Sequence, residues 1–389
     1  RKWLMISQVA LTAVLLTGAG LFAQSLVNLN RVDLGLRPDH MIEFSLQPEL
    51  NRYTPAQAIT FFDRLREGIA ALPGVRAVSV AEIPVMAGDS SSSNITVEGY
   101  VPQENENTDV WRNSIGPNYF STMGTPLLAG REFNNADTAG SPKVAIVNEA
   151  FAKRFQLGGN VVGRRLAIGS GNDVHPDIEI VGEVKNSKAA QVREDSQPFM
   201  YFPYSQNPAL GFASVYVRTS QDPEAQSAAL RKTVAGYDPN LPVFNLMTFE
   251  EQVNQSVFAD RLVTYLSTCL ALLASLLAAV GLYGVMAYVV ARRTREIGIR
   301  MALGATRKNV SWLILREVIR MTLVGLVIGL PCAYAIGRLV QSLLYGVMAS
   351  DPRVFLASAV LLAAVTVLAG GMPALKASSV DPMVALRYE

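Results

Sequence analysis

Histidine and cysteine are almost missing from this chain, with 2 of each in 389 residues. Cys269 and Cys332 both lie in apolar runs and read as small packing hydrophobes, so no disulfide framework is implied. His40 stands alone. His175 shares a polar loop with Asp173 and Asp177, which reads as a solvated turn rather than a metal site. No nucleophile can be matched with a base. The nearest approach to a phosphate loop, Gly158 to Gly163, is followed by Arg164 and Arg165 where Lys and Ser/Thr should stand. The chain therefore reads as a non-enzyme without a cofactor or metal of its own.

Charge is also scarce. Only 17% of residues are charged, against roughly 25% in an ordinary soluble domain, while 50% are hydrophobic and the mean hydropathy is +0.24. The net charge of +2 hides a split. Residues 31–260 hold 19 Lys+Arg and 27 Asp+Glu, a net of −8, which leaves 15 against 5, a net of +10, for the rest. The composition excludes a disordered chain and a coiled coil.

Four apolar runs account for the missing charge. A bilayer core takes about 20 apolar residues as helix. Trp3 to Asn30 carries no charge; Leu262 to Val290 carries none in 29 residues; Met321 to Gly337 none in 17; Val354 to Met372 none in 19. The first run follows Arg1 and Lys2 as a signal peptide would, but it is far longer than the roughly 7–15 apolar residues such a peptide needs, and it reads as an anchor. The second would span about 43 Å as helix, longer than the hydrocarbon layer, so one end should project or the helix should tilt. Pro331 should kink the third. Gly18, Gly20, Gly281 and Gly284 suit close helix contact, and Glu317 is spaced to pair with Arg320. The runs lack the intramembrane acids and histidines of an ion-coupled carrier.

Lys and Arg near the helix ends set orientation. They gather at Arg1 and Lys2, between Arg292 and Arg320, and at Lys376 and Arg387. This places both termini and the 291–312 loop in the cytoplasm, with residues 31–260 outside. The expected organisation is transmembrane helices at 1–30, 261–291, 313–340 and 354–373, an outer domain at 31–260, a basic inner segment at 292–312, an outer loop at 341–353 and a cytoplasmic tail at 374–389.

The outer domain alternates strands and helices. Met41 to Leu46 reads as a strand; Thr54-Pro55 opens a helix with Ile59, Phe62, Leu65 and Ile69 on one face; Val75 to Val80 is the next strand. The pattern recurs with a strand at Phe212 to Val217, a helix from Asp222-Pro223 to about Ala235, and a strand at Val243 to Leu246. These read either as two βαβ-like units packed into one α/β domain or as two unrelated pieces. Between them, about 85–205, an inserted subdomain is expected. It would hold a Gly/Ser loop at Ala87 to Asn94, strands at Ile95 to Gly99, Lys143 to Val147 and Ile178 to Val184, and a helix capped by Asn148 running to about Phe155.

The basic segment carries the sharpest pattern. Glu296 and Arg300 form an i, i+4 pair, and Ile297, Met301 and Ala305 a narrow apolar stripe at the same spacing. By these features alone the segment could rest on acidic headgroups or dock on a protein.

At "RTREIGIRMALGATRKNV" the chain resembles the cytoplasmic coupling segment of FtsX-like ABC transporter permeases, the class that includes the macrolide exporter MacB. "LLAAVGLYGVMAYVVARR" and the terminal "VDPMVALRYE" are similar to the same class. "FFDRLREGIAALPGVRAVSV", "GPNYFSTMGTPLLAGREF" and "VAIVNEAFAKRF" resemble the MacB-like periplasmic core domain. The likeness is nearest to the tandem, orphan permeases described from acidobacteria, and a chain opening on Arg1 would suit the second half of one.

The resemblance implies an α+β membrane protein with four transmembrane helices and a large α/β periplasmic domain, in which a ferredoxin-like porter part carries an insertion. It implies an inner-membrane, multi-pass permease that passes ATP-driven motion from a cytoplasmic ATPase to the periplasmic domain, for export or extraction of a substrate. The FtsX branch offers an alternative, a signalling or scaffold protein acting on periplasmic or cell-wall partners. Arg295, Glu296, Ile297, Gly298, Ile299, Arg300, Met301, Gly304 and Ala305 would meet the ATPase. MacB carries its ATPase before the first helix, where this chain has only Arg1 and Lys2, so either an ATP-binding subunit is expected in trans or the permease works without one. The further partners implied are a second permease unit, the lipid bilayer and a periplasmic partner, with no nucleic acid.

Overall fold

The structure is a computed structural model that describes residues 2–103, 106–159, 161–171, 174–293, 299 and 306–378. It divides into two compact units, an α/β unit, Val32–Val257, and a helical unit made of Arg1–Arg31 and Phe258–Glu389.

In the α/β unit, β1 (Met41–Leu46), β2 (Val75–Ala81), β10 (Ala213–Thr219) and β11 (Phe244–Thr248) form an antiparallel sheet in the order β11-β1-β10-β2. The two βαβ pieces thus share one sheet, with Ile42 opposite Val217 and Phe44 opposite Val215. Helix α2 (Pro55–Ala70) starts at a capping box: Gln57 N–H donates to Thr54 Oγ1 and Thr54 N–H to Gln57 Oε1. Its Phe62, Leu65 and Ile69 bury against Ile42, Phe44, Val215 and Val217, with Leu230 and Val234 of α5 (Ser227–Tyr237) beside them. Asp222-Pro223 leads first into a short 3₁₀ turn, Glu224–Gln226, and only then into α5.

The residues between β2 and β10 build a second core. Six strands close into a ring: β4 (Asp109–Ile115), β3 (Ser91–Val97), β7 (Arg165–Ile168), β8 (Ile178–Val184), β6 (Val144–Asn148) and β9 (Phe199–Pro203), with β9 returning to pair with β4. Closure leaves no unpaired edge within the ring. The short β5 (Leu127–Gly130) adds to β8. The ring joins the first sheet through one residue pair, Ala81 with Ile115. Its core holds Val110, Val147, Ile180 and Met200, with Phe151 of α4 (Glu149–Arg154). Asn148 caps α4, accepting from Phe151 N–H at 3.0 Å. Ser91 to Asn94, expected as loop, belongs to β3: paired with Asp109 to Arg112, their backbone groups gain a ladder that Gly/Ser composition alone does not suggest.

In the helical unit, α1 (Lys2–Leu29) packs against α7 (Phe258–Arg292), α8 (Arg307–Leu339) and α9 (Pro352–Ser378). Among the described residues, α1, α7 and α9 contain spans long and apolar enough to cross a membrane. Helix α8 continues through Pro331 without a break. Two of the four glycines expected at contacts are there: a Cβ on Gly20 would meet Val354 at 2.7 Å and one on Gly281 would meet Gln8 at 2.7 Å. Gly18 and Gly284 face nothing within 4 Å. Gly325 against Val9, at 2.5 Å, is closer still, and Gly329 meets Ala10 O at 2.7 Å. Hydroxyls and amides add cross-links, with Thr12 Oγ1 donating to Ala274 O at 3.3 Å and Asn28 Nδ2 to Gly346 O at 2.9 Å.

Candidate functional site

The expected coupling site lies at the end of the helical unit where α7 stops and α8 starts. Arg295, Glu296, Ile297, Gly298, Arg300, Met301, Gly304 and Ala305 lie outside the described residues, and with them the Glu296–Arg300 pair and the apolar stripe. Ile299 is described as helical and 45% exposed.

The frame around the segment is described. The last turn of α7 closes with Arg293 N–H shared between Val289 O and Val290 O, both at 3.1 Å. Thr306 opens α8 from an extended backbone, φ −76° and ψ 152°, which suits a helix N-cap. Arg293 Nη1 reaches Glu317 Oε2 at 3.6 Å. This pair ties α7 to α8, where sequence spacing had offered Glu317 an intrahelical partner in Arg320. Tertiary packing brought a cation from the neighbouring helix nearer than the one on its own. The two helices that enter and leave the segment are therefore linked by a residue at its start, Arg293, and one on α8 beyond its end, Glu317.

The α/β unit holds a second polar constellation that the sequence pattern did not mark. Alternation in β1 puts Met41, Glu43 and Ser45 on the face away from α2. Such a face usually meets water, but here α3 (Tyr119–Met123) and α6 (Phe249–Ser256) cover it. Glu43 is 4% exposed, and its Oε2 has no hydrogen-bond partner among the described residues. Burial pushes its pKa up to about 8, partly offset by a hydrogen bond from Tyr216. Tyr216 in turn accepts from Val85 N–H at 2.8 Å and packs edge-on to Tyr119 and Phe249, at 6.3 and 5.8 Å between ring centres. Burial, with the nearby Glu43, drives the Tyr216 hydroxyl well above its usual pKa, and burial does the same to Tyr119. Ser45 Oγ and Ser214 Oγ lie 2.7 Å apart on the same face. A neutral carboxyl among tyrosines that stay protonated can hold a fold together. It offers no nucleophile or activated base.

A third polar contact spans the α/β unit. Tyr204, just after β9, donates to Asp63 of α2, and Arg66 of the same helix donates to Asn135 Oδ1 at 2.9 Å. These bonds and the single β2–β4 residue pair join the four-stranded sheet with its helices to the ring. Asp177 is held by Lys143 at 2.6 Å, and Asp173 lies outside the described residues. No three His, Cys, Asp or Glu side chains converge on a metal-sized site among the described residues.

Residues 4–234 match the family model described as MacB-like periplasmic core domain, and residues 268–382 the one described as FtsX-like permease C-terminal. The chain is 28% identical over 284 residues to the pyoverdine export ATP-binding/permease protein PvdT of Pseudomonas entomophila, covering 68% of this chain and 41% of that protein. It is 25% identical over 290 residues to YknZ of Bacillus subtilis, named as an uncharacterized ABC transporter permease, covering 73% and 71%. It is 26% identical over 293 residues to the macrolide export ATP-binding/permease protein MacB of Campylobacter jejuni, covering 71% and 44%. The chain thus spans less than half the length of the two relatives named as ATP-binding/permease proteins.

Proposed function

The chain belongs to the family defined by the MacB-like periplasmic core domain, joined here to an FtsX-like permease segment, and from that premise we propose that it is the permease subunit of an ABC transporter. It works with a cytoplasmic ATP-binding subunit and transmits ATP-driven motion to its periplasmic domain, for export or extraction of a substrate. The observation that carries this reading is the order of parts: a core-domain match over 4–234, then a permease match over 268–382 that contains the whole basic segment.

In this reading residues 1–30, 261–291, 313–340 and 354–373 cross the inner membrane. Residues 31–260 are periplasmic, with an insertion at about 85–205, and both termini and 292–312 are cytoplasmic. Arg295 to Met301, with Gly304 and Ala305, dock on the ATPase. The length of α7 supports a lever: 35 residues make about 52 Å of helix, well beyond a hydrocarbon layer of roughly 30 Å. The Arg293–Glu317 link supports α7 and α8 moving together when the segment is pushed. Two such units would pair, as separate chains or as halves of a tandem protein.

Met301→Asp would place a carboxylate in the desolvated docking groove, at a cost of several kcal/mol. Arg300→Glu would set like charge beside Glu296 and reverse its pairing with the partner. Each is expected to abolish stimulation of ATP hydrolysis in the reconstituted transporter while insertion and folding remain normal. Unchanged stimulation in both variants would sink docking through this segment.

A further inference from the structure

Where α1, the end of α7 and the first turns of α8 meet, the helical unit has an open cleft of about 410 Å³. Arg293, Arg316, Glu317 and Arg320 line it, with Ile6, Leu313 and Val324 as its apolar part. Three guanidinium groups against one carboxylate leave a charge of +2, and that carboxylate is already engaged with Arg293. Arg316 and Arg320 stand one turn apart on α8. Both are exposed, and neither has an ion pair or hydrogen bond among the described residues.

Their position along the helix is informative. The uncharged run begins at Met321, the residue after Arg320, and ends at Gly337. From Arg320 to Arg338 the rise is about 27 Å, close to a hydrocarbon thickness of roughly 30 Å. Arg338, at the far end, already sits over the Tyr334 ring at 5.1 Å. Arg320 continues into Val324 and Val327 at i+4 and i+7, both exposed. One stripe of α8 is therefore apolar along the hydrocarbon and cationic where the headgroups begin. Planar guanidinium groups match the oxygens of a phosphate, and basic pockets between membrane helices suit acidic headgroups.

We propose that this cleft seats the phosphate of an anionic phospholipid, held by Arg316 and Arg320, with its acyl chains along Val324 and Val327. The site requires that α8 lie in a bilayer but is independent of ATPase coupling, so the two readings fail separately.

A tryptophan placed at Val327, exposed on the hydrocarbon part of the same stripe and outside the cleft, is the reporter. The full chain carrying Val327→Trp with Trp3→Phe, Trp111→Phe and Trp312→Phe would be placed in bilayers of phosphatidylglycerol and phosphatidylcholine, with brominated acyl chains on one lipid and then on the other. The expected result is several-fold preferential quenching by brominated phosphatidylglycerol, falling by about fivefold for each of Arg316→Gln and Arg320→Gln. Arg316→Lys should keep part of the preference. Arg292→Gln, outside the cleft at the same end, and Arg338→Gln, at the other end, should leave it intact. Equal quenching by the two lipids in the unsubstituted protein would overturn the proposal. So would a loss in Arg292→Gln as large as in the cleft variants, which would mean diffuse surface attraction. Displacement by millimolar inorganic phosphate would also overturn it, since the site would then bind the free anion.

Discussion

The two units of this chain differ in what they turn outward. In the α/β unit the large side chains are inside: Phe44, Phe62, Phe151 and Tyr216 are fully covered, and most charge is outside, with Glu43, Asp137 and Lys188 as buried exceptions. In the helical unit α7 turns Leu266, Leu270, Leu273 and Leu277 outward and buries Thr264, Ala271 and Ala278, while its later turns bury Leu282 and Met286. Water drives the first arrangement, because each large apolar side chain withdrawn from it gains roughly 1.5–3 kcal/mol. Lipid gives no such gain, so helices meet where small residues let their backbones approach and where a hydroxyl can bond across. Gly325 and Gly329 against α1, and Thr12 bonded to Ala274 O, are that logic in particular residues.

The largest test of the contrast is Phe62→Ala. In a water-driven core it should cost about 3–5 kcal/mol. The check is urea unfolding followed through Trp111, the one tryptophan of the α/β unit, with Trp3 and Trp312 replaced by Phe. A cost below about 1 kcal/mol would mean that this core is not what holds the unit together.

Glu43 tests the exception, a polar group inside the water-driven unit. Its folded pKa of about 8 lies above the unfolded value, so the folded state holds the proton more tightly. Its penalty is absent below about pH 4.5, grows as pH rises, and is complete above about 8. The unit should lose stability on the order of 3 kcal/mol between pH 5 and 9, a decline that Glu43→Gln should flatten. A flat profile in the unsubstituted protein would show that the carboxyl finds a partner when ionised.

Gly329→Val sharpens the other side. Its Cβ would stand 2.7 Å from Ala10 O, a backbone atom that cannot swing away. Overpacking of this kind costs about 1–3 kcal/mol, read as a lowered melting temperature of the helical unit in detergent. Least affected should be Leu270→Ala on the outward face of α7, a change within about 0.5 kcal/mol. A loss comparable to that of Phe62→Ala would mean that Leu270 faces protein.

Much of the α/β unit was legible as local pattern. The strand at 41–46, the Thr54 cap with Phe62, Leu65 and Ile69 behind it, the Asn148 cap and the strand at 178–184 all follow from residues within a few positions of one another. β4, β5, β7 and β9 were missed: they are short or mix polar with aromatic residues, and their strand character comes from partners far along the chain. Glu43 was missed because an acid in an alternating strand looks solvated until another element covers it. The basic segment proposed for coupling shows the reverse: its sequence is the most specific in the chain, while eight of its nine expected site residues lie outside the described ones.

By itself, then, the sequence determined where apolar length, helix caps and basic clusters fall, because propensity, capping and hydrophobic period act over a few residues. The tertiary structure alone decided that β1 pairs with β10, that β9 closes a ring on β4, that Glu43 is buried, and that Glu317 meets Arg293 rather than Arg320. Those outcomes depend on which distant segments reach one another first at the right register, and no local pattern encodes that choice.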